Sequence, residues 1–394
     1  MRKLKKFFKS PSLFFRDYFL KKAPLDYGSG IALLPTERGL GASSKKTTPL
    51  SKKTASASNK QLGFEDIYTI AFPVDVVFTW VDADDAEFVT QKAHFQGNLH
   101  TEIVKKKREI VDIARFQSRD ELKYAIRSIE TYAPWVNHIY IVTNGQIPTW
   151  LNTKHPKVSI VPHSEIIPEE YLPTFNSHVI ESCLHRIKGL SEHYLYLNDD
   201  VMFARSILPN YFFTSSGIAK VFLTDAKLPD GPKNLNDTPT QWAAKNARDL
   251  LYARTSRTTQ HMFAHTFHPQ LKSVQESMEK LWPSEFDICR RNRFRGETDL
   301  PVASFLNHHF ALIEGKAIAT RTRCMYFNIR TPSASRYYQS LMARKGTDQA
   351  PFSMCLNDHK STARSQLKNY EEELQNFLDS YFPEASELEV DLPK

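Results

Sequence analysis

Short apolar runs alternate with amphipathic stretches through the middle of the chain. Runs rich in β-branched and aromatic residues predict strands at residues 75–82, 138–143, 158–161 and 194–197. Apolar positions at helical spacing predict helices between these strands, at residues 119–133 and 176–187. Strands that alternate with helices indicate an α/β fold with a mostly parallel central sheet and helices on its faces.

A capping box marks the predicted start of the first of these helices. Ser118 stands at the N-cap and Glu121 follows three residues later, which is the spacing of two reciprocal hydrogen bonds. Glu121 is therefore expected to cap the helix. The free N–H groups of a helix start attract anions, so Arg119 could hold a phosphate or an acidic sugar there, while Asp120 could either cap the helix or contact the substrate.

Beyond residue 210 the pattern is less regular. Helices are predicted at residues 270–281, 302–313 and 364–381. The last of them carries an apolar stripe that predicts packing against the body of the protein, formed by Leu367, Tyr370, Leu374, Phe377, Leu378 and Tyr381.

The first seventy residues differ in character from the rest. Residues 1–22 mix Lys and Arg with aromatic residues at helical spacing, which predicts either membrane-surface binding or docking on the protein itself. Residues 41–60 are rich in Ser, Thr and Lys and predict a linker. The expected organisation is a membrane-association segment at 1–25, a flexible linker at 26–71, a catalytic domain at 72–362 and a C-terminal helix region at 363–394.

Composition narrows the classes of protein. The chain has 394 residues and a net charge of +8, which suits anionic partners without choosing among them. Its four cysteines form no C-x-x-C pair, which argues against a cysteine zinc site or a disulfide scaffold and favours a reducing cytoplasm. No run approaches the ~18–20 apolar residues of a membrane span, no signal peptide is expected, and no nucleic-acid recognition motif is found.

Two adjacent carboxylates follow the strand predicted at residues 194–197. Asp199 and Asp200 would repel each other unless a cation neutralised them, and hard oxygen ligands suit Mg²⁺ or Mn²⁺. A simple Asx turn is the alternative. Asp82 and Asn144 also follow predicted strands, so the carboxyl edge of one sheet could collect all four side chains.

Three further segments could contribute chemistry. His261 and His265 have the spacing of a helical metal pair, but Met262 replaces the Glu of a zinc hydrolase motif, so a single histidine acting as acid or base is the better hypothesis. The segment 290–295 holds four arginines that could clamp phosphate or form a basic surface loop. The pair at 357–358 could be a site or only a turn.

Four blocks of the chain, at residues 75–85, 118–151, 172–203 and 352–358, resemble the four regions of the Stealth family. That family contains bacterial capsular polysaccharide phosphotransferases and the eukaryotic N-acetylglucosamine-1-phosphotransferase. The segment FFKSPSLFFRDYF near the N-terminus also looks like the leader of bacterial capsule polymerases of this family. The resemblance implies a nucleotide-sugar-binding fold similar to GT-A, a divalent cation, and transfer of a sugar-1-phosphate.

The resemblance also implies roles for individual residues. Asp199 and Asp200 would bind Mg²⁺, with Mn²⁺ as the alternative, and His265, Arg295 and Asn357 would complete the catalytic set. Donor and acceptor binding is expected from Thr79, Trp80, Asp82, Arg119, Asp120, Asn144, Asn176, His178, Asn198 and Asp299. The chain departs from the family at Phe88, where Trp is common.

The expected reaction joins an acceptor hydroxyl to the phosphorus beside the sugar of a nucleoside diphosphate sugar or polyol, and releases a nucleoside monophosphate. The expected partners are the donor, a growing capsular polysaccharide, other capsule assembly proteins and the inner face of the bacterial cytoplasmic membrane, with no nucleic acid. Two alternatives stay open at this point. One is a glycosyltransferase that moves the sugar alone and releases a nucleoside diphosphate, and the other is a membrane-surface scaffold that binds anionic polymers.

Overall fold

The computed structural model describes residues 68–97, 119–359 and 366–390. Its strands, in chain order, are β1 Val74–Thr79, β2 Ile139–Thr143, β3 Val158–Pro162, β4 His193–Asn198, β5 Val201–Phe203, β6 Ala219–Lys227, β7 His261–Phe263, β8 His268–Leu271, β9 Ala317–Thr320, β10 Cys324–Asn328 and β11 Ser353–Asn357. Its helices are α1 Ala86–Gly97, α2 Glu121–Tyr132, α3 His163–Ile166, α4 Ser177–Glu181, α5 Pro239–Thr255, α6 Lys272–Leu281, α7 Pro283–Arg290, α8 Asn307–Ile313, α9 Ala334–Arg344 and α10 Tyr370–Tyr381.

A five-stranded sheet forms the centre, in the order β3-β2-β1-β4-β8. The first four strands are parallel and β8 is antiparallel, which confirms the α/β prediction with a mostly parallel sheet. The strands β1, β2 and β4 are buried along nearly their whole length, as expected for a parallel sheet covered on both faces. The strand order reverses between β1 and β4, and open sheets of this kind bind ligands at the carboxyl edge of that point.

Two three-stranded sheets flank the centre, in the orders β10-β11-β5 and β7-β6-β9. The strand β5 follows β4 after only two residues, Asp199 and Asp200, and β11 runs antiparallel to it. Cys355 of β11 is the register partner of Val201, so the end of β11 lies beside the acidic turn. None of the strands from residue 201 onward was predicted: most of them have only three to five residues, and the nine-residue β6 lacks a clear alternating pattern.

The helix α10 begins at Tyr370, later than the start predicted at residue 364, so Leu367 of the predicted stripe precedes it. The helix packs on the body through the rest of that stripe. Leu374, Phe377, Leu378 and Tyr381 are buried in the main hydrophobic core, and Leu367 and Tyr370 pack against it with partial exposure. The Phe377 ring stacks on Tyr338 of α9 with centroids 4.6 Å apart. The helix also carries Asp379, which accepts a hydrogen bond from Tyr124 of α2.

Three predicted helices differ from those observed. The helix predicted at 176–187 breaks after α4, because the carbonyl of Ser182 accepts a hydrogen bond from Arg290 (2.7 Å) and the chain continues as a 3₁₀ turn at Leu184–Arg186. The segment 270–281 begins as the end of β8, and the segment 302–313 begins as a π turn at Val302–Leu306 before α8.

The predicted capping box is also wrong. The helix α2 begins at Glu121, with Asp120 at the N-cap in a left-handed conformation (φ 62°). Glu121 is thus the first helical residue, and its side chain accepts a hydrogen bond from the Arg119 backbone N–H. Ser118 lies outside the described residues.

The predicted segments 1–25 and 26–71 lie outside the described residues, apart from the last four positions of the second. Within the described part of the chain, no helix combines the length and the apolar character that crossing a bilayer requires.

Candidate active site

The acidic turn between β4 and β5 is held by the end of β11. The Asp200 carbonyl accepts the Leu356 N–H (3.1 Å), and its carboxylate Oδ2 accepts the Cys355 thiol (3.2 Å) and the Asn357 amide (3.3 Å). The other carboxylate oxygen, Oδ1, is buried and has no hydrogen-bond partner among the described residues. Asp200 therefore has one oriented acceptor atom, Oδ1, that no described residue satisfies, at the carboxyl edge of the sheet.

Three carboxylates interact at this turn. Burial raises the pKa of Asp199 well above its usual range, and the charges of Asp200 and Glu121 raise it further. Burial also raises the pKa of Glu121 to about 7, with a smaller contribution from Asp200. Glu121, which was expected to cap the helix, is also a buried member of the acidic cluster.

His265 lies in the bend between β7 and β8, next to this cluster. Its Nε2 is 3.2 Å from the Asn198 amide nitrogen, and its ring meets the Tyr326 ring edge-on at 5.5 Å. One ligand atom each of Asp200, His265 and Cys355 lie within 4.8 Å of one another. A divalent cation would fit here for three reasons: the unsatisfied Oδ1 of Asp200, the like charge of Asp199, and the short distances among the three ligand atoms.

The other two histidines of this segment lie apart from the cluster. His261 is exposed on β7, so the segment is strand, bend and strand, and the helical spacing of His261 and His265 has no structural counterpart. His268 is buried on β8, with its Nδ1 2.9 Å from His308 Nε2, and burial lowers its pKa to about 3. His268 is thus neutral near physiological pH.

The four arginines of 290–295 have different partners. Arg290 binds Glu279 and Ser182, Arg291 binds Asp287 on the surface, and Arg293 donates to the Pro173 carbonyl (2.7 Å). Arg295 is half-buried and donates to the hydroxyls of Ser177 (2.9 Å) and Thr240 (3.3 Å). The partners of Arg295 in these two contacts are neutral hydroxyls and not carboxylates. Arg290 and Arg291, by contrast, form ion pairs.

Asp299 is fully buried and organises the loop that carries Arg295. Its carboxylate accepts hydrogen bonds from Asn176 (3.0 and 3.1 Å), His178 (3.0 Å) and Asn292 (2.8 Å). Asn176 also donates to the Phe294 carbonyl (3.3 Å). The structure thus places Asn176, His178 and Asp299 in contact with one another in the interior, an arrangement that positions Arg295 and differs from the predicted substrate contacts.

Glu181 is a candidate that the sequence analysis missed. It ends α4, is only 5% exposed, and accepts the Ala303 N–H at 3.3 Å. Burial raises its pKa, and the charges of His178, Arg295 and His265 oppose that rise. The sequence did offer one signal for this residue: Glu181 is a carboxylate within the helix predicted at 176–187, which has an inward-facing apolar side.

The loops after β1 and β2 meet at the same edge. The Asp82 N–H donates to Gln146 Oε1 (2.8 Å), and Gln146 Nε2 donates to the Asp82 carbonyl (2.8 Å). The Trp80 N–H donates to the Val142 carbonyl (3.0 Å), and Thr79 Oγ1 is 3.1 Å from the Tyr196 hydroxyl.

Asn144 follows β2 and has a buried Oδ1 without a partner among the described residues. Thr79 and Asn198 are register partners at the ends of β1 and β4. The predicted residues that follow β1, β2 and β4 therefore do share one edge.

The start of α2 is occupied by the protein's own groups. Arg119 Nη1 lies 2.7 Å from Asp358 Oδ2, its Nε lies 3.0 Å from Glu371, and its guanidinium lies over the Tyr370 ring at 5.2 Å. Asp120 pairs with Lys123 at 3.0 Å. Arg119 is thus held by internal contacts, in contrast to its predicted contact with substrate. Asp120 is exposed, and its predicted contact with substrate stays a prediction.

Two family models match the chain: Stealth protein CR2, conserved region 2, at residues 115–221, and Stealth protein CR3, conserved region 3, at residues 264–312. A capsular polysaccharide phosphotransferase LcbA from Aeromonas hydrophila is 37% identical over 98% of this chain and 100% of its own length. The protein fcs1 of the same description from Haemophilus influenzae is 35% identical over 97% of this chain and 100% of its own length.

A comparison with solved structures found the galactosyltransferase LgtC in complex with donor and acceptor sugar analogues. It is 13% identical, covers 78% of this chain and 96% of its own chain, and has a TM-score of 0.38. The glycosyltransferase GlyE of Streptococcus pneumoniae is 10% identical over 81% of this chain and 64% of its own chain, with a TM-score of 0.33. By its near full-length similarity to LcbA and fcs1 and its match to both conserved regions, this chain belongs to the Stealth family of capsular polysaccharide phosphotransferases.

Proposed function

We propose that this protein transfers a sugar-1-phosphate or polyol phosphate from a nucleoside diphosphate donor to a saccharide hydroxyl, building a phosphodiester-linked capsular polysaccharide. The main observation behind this proposal is the hydrogen-bond network at the carboxyl edge of the central sheet. Asn357 and Cys355 donate to Asp200 there, and Asn198 contacts His265. The similarity over nearly the whole chain to proteins named capsular polysaccharide phosphotransferases supports phosphotransfer in capsular polysaccharide synthesis.

Asp199 and Asp200 are the proposed ligands of Mg²⁺, with Mn²⁺ as the alternative. The open Oδ1 of Asp200 and the mutual repulsion within the acidic cluster support this assignment. When bound, the cation would neutralise part of the pyrophosphate charge of the donor. Asn357 orients Asp200 through its amide and can turn the same group towards a phosphate oxygen or the acceptor.

In the proposed step, an acceptor oxygen bonds to the phosphorus that carries the sugar, and the bond from that phosphorus to the bridging oxygen of the pyrophosphate breaks. The nucleoside monophosphate leaves, while the bond between the sugar and its phosphate stays intact. Arg295 stabilises the negative charge on the transferred phosphoryl group, because among the described residues its guanidinium donates to neutral hydroxyls and forms no ion pair. His265 or Glu181 accepts the proton of the acceptor hydroxyl.

Glu181 is the second candidate for this base because its surroundings resemble those of a tuned acid–base group. It is buried, which raises its pKa, and it lies in the field of His178, Arg295 and His265. His265 is half-buried and interacts with Asn198.

The remaining contacts divide into two sets. Thr79, Trp80, Asp82 and Asn144 are proposed to bind the nucleotide, since they follow β1 and β2 at the carboxyl edge. Arg119, Asn176, His178 and Asp299 are proposed to support the site from within the protein, as their internal ion pairs and hydrogen bonds indicate. Asp120 is exposed at the start of α2 and is proposed to contact the substrate.

The domain boundaries of the sequence analysis complete the proposal. Residues 72–362 form the catalytic domain, and residues 363–394 form the C-terminal helix region that packs on it. Residues 1–25 attach the protein to the inner face of the cytoplasmic membrane through their cations and aromatic side chains, and residues 26–71 act as a flexible linker. The growing polysaccharide and other capsule assembly proteins would meet the enzyme at that surface.

The test is to incubate the full-length protein with a panel of nucleotide sugars and Mg²⁺, identify the released nucleotide, and examine the product by ³¹P NMR. We expect a nucleoside monophosphate and a phosphodiester signal. Release of a nucleoside diphosphate, with no phosphorus in the product, would replace the proposal with the glycosyltransferase alternative. Asp200→Asn should abolish either reaction and serves as the control for contaminating enzymes.

A further inference from the structure

Cys355 adds a sulfur atom to the acidic turn. It lies on β11, is 1% exposed, and donates its thiol hydrogen to Asp200 Oδ2 at 3.2 Å. With His265 it completes a group of three ligand atoms that lie within 4.8 Å of one another. The three residues come from β11, from the turn after β4 and from the bend before β8, so no local spacing in the sequence reveals them.

The three ligand atoms differ in chemical character. Mg²⁺ and Mn²⁺ prefer oxygen ligands, whereas Zn²⁺ and Cd²⁺ bind thiolate and imidazole strongly. Zinc with ligands at about 2.0–2.3 Å places neighbouring ligand atoms roughly 3–4 Å apart, so small side-chain adjustments bring this group to a tetrahedral arrangement. Three protein ligands with a fourth position left open is a common zinc coordination pattern.

We propose that Asp200, His265 and Cys355 form a binding site for a thiophilic divalent cation such as Zn²⁺, and that this cation inhibits phosphotransfer by occupying Asp200. The binding half of this inference stands on the side-chain arrangement alone. The inhibition half rests on the proposed function, because it requires Asp200 to serve the phosphotransfer reaction.

The chemistry of binding is a simple exchange. The Cys355 thiol releases its proton to solvent as its sulfur bonds to the metal, and the hydrogen bond from that thiol to Asp200 Oδ2 is lost. Asp200 stays oriented by Asn357, and the bound metal compensates the lost donor. No oxidant or reductant takes part.

Cys324 provides a matched control. It lies on β10, the strand that pairs with β11, and is buried to the same degree as Cys355 (2% against 1%). It is not a member of the three-residue group. Cys324→Ser therefore removes a buried thiol from the same sheet while keeping the proposed ligands.

The binding test is calorimetric titration of the metal-free, untagged full-length protein with Zn²⁺, with Co²⁺ as a spectroscopic probe. Wild type and Cys324→Ser should bind both metals and show a sulfur-to-cobalt charge-transfer band. Cys355→Ser should lose that band, and its Zn²⁺ affinity should fall by about tenfold or more. Equal Zn²⁺ affinity in Cys355→Ser and wild type, or no such band in wild type, would overturn the site.

Two further measurements keep the result interpretable. Thermal unfolding of each variant without metal shows whether it is folded, and His265→Gln tests the same site without touching the sheet: it too should weaken Zn²⁺ binding. Transfer measured at fixed Mg²⁺ with rising Zn²⁺ should be inhibited in wild type and in Cys324→Ser at lower Zn²⁺ than in Cys355→Ser, each relative to its own rate without Zn²⁺.

The outcomes separate the two proposals. Zn²⁺ that binds through Cys355 but leaves transfer unchanged would contradict the inhibition half and the role of Asp200 in the reaction. A protein that binds Zn²⁺ as described but transfers nothing from any donor would contradict the proposed function and leave the metal site supported.

Discussion

Arg330 donates hydrogen bonds from two nitrogens to the carboxylate of Asp358, the residue directly after Asn357 at the end of β11. Arg119 approaches the same carboxylate from the start of α2, at 2.7 Å. Both guanidiniums lie over the ring of Tyr370, the first residue of α10, at 4.4 and 5.2 Å. This cluster connects α2, β11 and α10 one residue away from the contact between Asn357 and Asp200.

Removal of the central carboxylate of this cluster should destabilise the fold. Asp358→Ala leaves two nearly buried guanidiniums without their shared partner, and we expect a loss of about 3 kcal/mol in the free energy of unfolding. Urea denaturation measures it. The matched control is Asp348→Ala, which removes a fully exposed carboxylate 3.7 Å from Arg205 and should leave the free energy of unfolding nearly unchanged. If the two substitutions changed the free energy of unfolding equally, the cluster would contribute no more to stability than an exposed ion pair.

Replacing Arg295 should slow the reaction without unfolding the protein. The charge of Arg295 is held by two hydroxyls, so Arg295→Ala should lower kcat by about 10²–10³-fold through lost stabilisation of the transferred phosphoryl group. Arg291→Ala removes an exposed guanidinium of the same segment that binds Asp287, and its kcat should stay within about twofold of wild type. A similar kcat for both variants would exclude a role for Arg295 in the chemical step.

A substitution in the acidic turn should stabilise the metal-free protein. Folding partly buries Asp199 beside Asp200 and Glu121 and raises its pKa, so at pH 7 the ionisation of this carboxyl in the unfolded chain reduces the net stability of the fold. Asp199→Asn removes that cost and should raise the free energy of unfolding in EDTA. Added Mg²⁺ should then stabilise wild type more than the variant.

The control for this prediction is Asp225→Asn, which alters an exposed carboxylate paired with Arg321. It should leave both the stability and its Mg²⁺ dependence nearly unchanged. If Asp199→Asn were less stable than wild type in EDTA, the repulsion within the acidic cluster would be smaller than its packing contribution.

Glu181→Gln separates chemistry from structure at a buried position. Glutamine can still accept the Ala303 N–H, so the variant should fold with a stability close to wild type. If Glu181 is the base, kcat should fall by about 10²–10⁴-fold, and the acid limb of the pH–rate profile should change shape. The parallel variant His265→Gln identifies which of the two groups sets that limb. Near-normal turnover of Glu181→Gln would remove it from the catalytic set.

Acid should weaken the fold through a buried neutral histidine, His163 of α3. Burial lowers the pKa of His163 to about 4, below its ordinary value of 6.5, so its contribution to stability is complete above pH 6.5 and is lost as the pH falls towards 4. Between about pH 7.5 and pH 5 this single group should account for roughly 2 kcal/mol.

Urea denaturation of wild type and His163→Phe across this pH range measures the effect. The variant should show a shallower loss of stability on acidification. His94→Gln, which changes an exposed histidine of α1, should keep the wild-type slope. Parallel slopes for wild type and His163→Phe would contradict the prediction.

Local features of the chain were predicted well where one strand or helix suffices to determine them. The strands β1 to β4 and the carboxylates after β4 follow from short apolar runs that end in polar residues. The helix α10 follows from its stripe, which is indeed buried. The helix predicted at 176–187 was wrong because a distant guanidinium, Arg290, takes the Ser182 carbonyl. A hydrogen bond between residues 108 positions apart leaves no trace in the local pattern.

The sequence by itself determined the α/β class, the parallel core, the acidic pair at a strand end and the family, because each depends on residue order over short stretches. Only the tertiary structure decided which atoms meet at the edge of the sheet. In the structure, Cys355 and Asn357 donate hydrogen bonds to Asp200. Glu181 and Glu121 are further buried carboxylates of the site, and Asp299 lies in the interior. The physical reason is that a site built from β4, β11 and a bend before β8 depends on strand order and burial, which arise from contacts between distant parts of the chain.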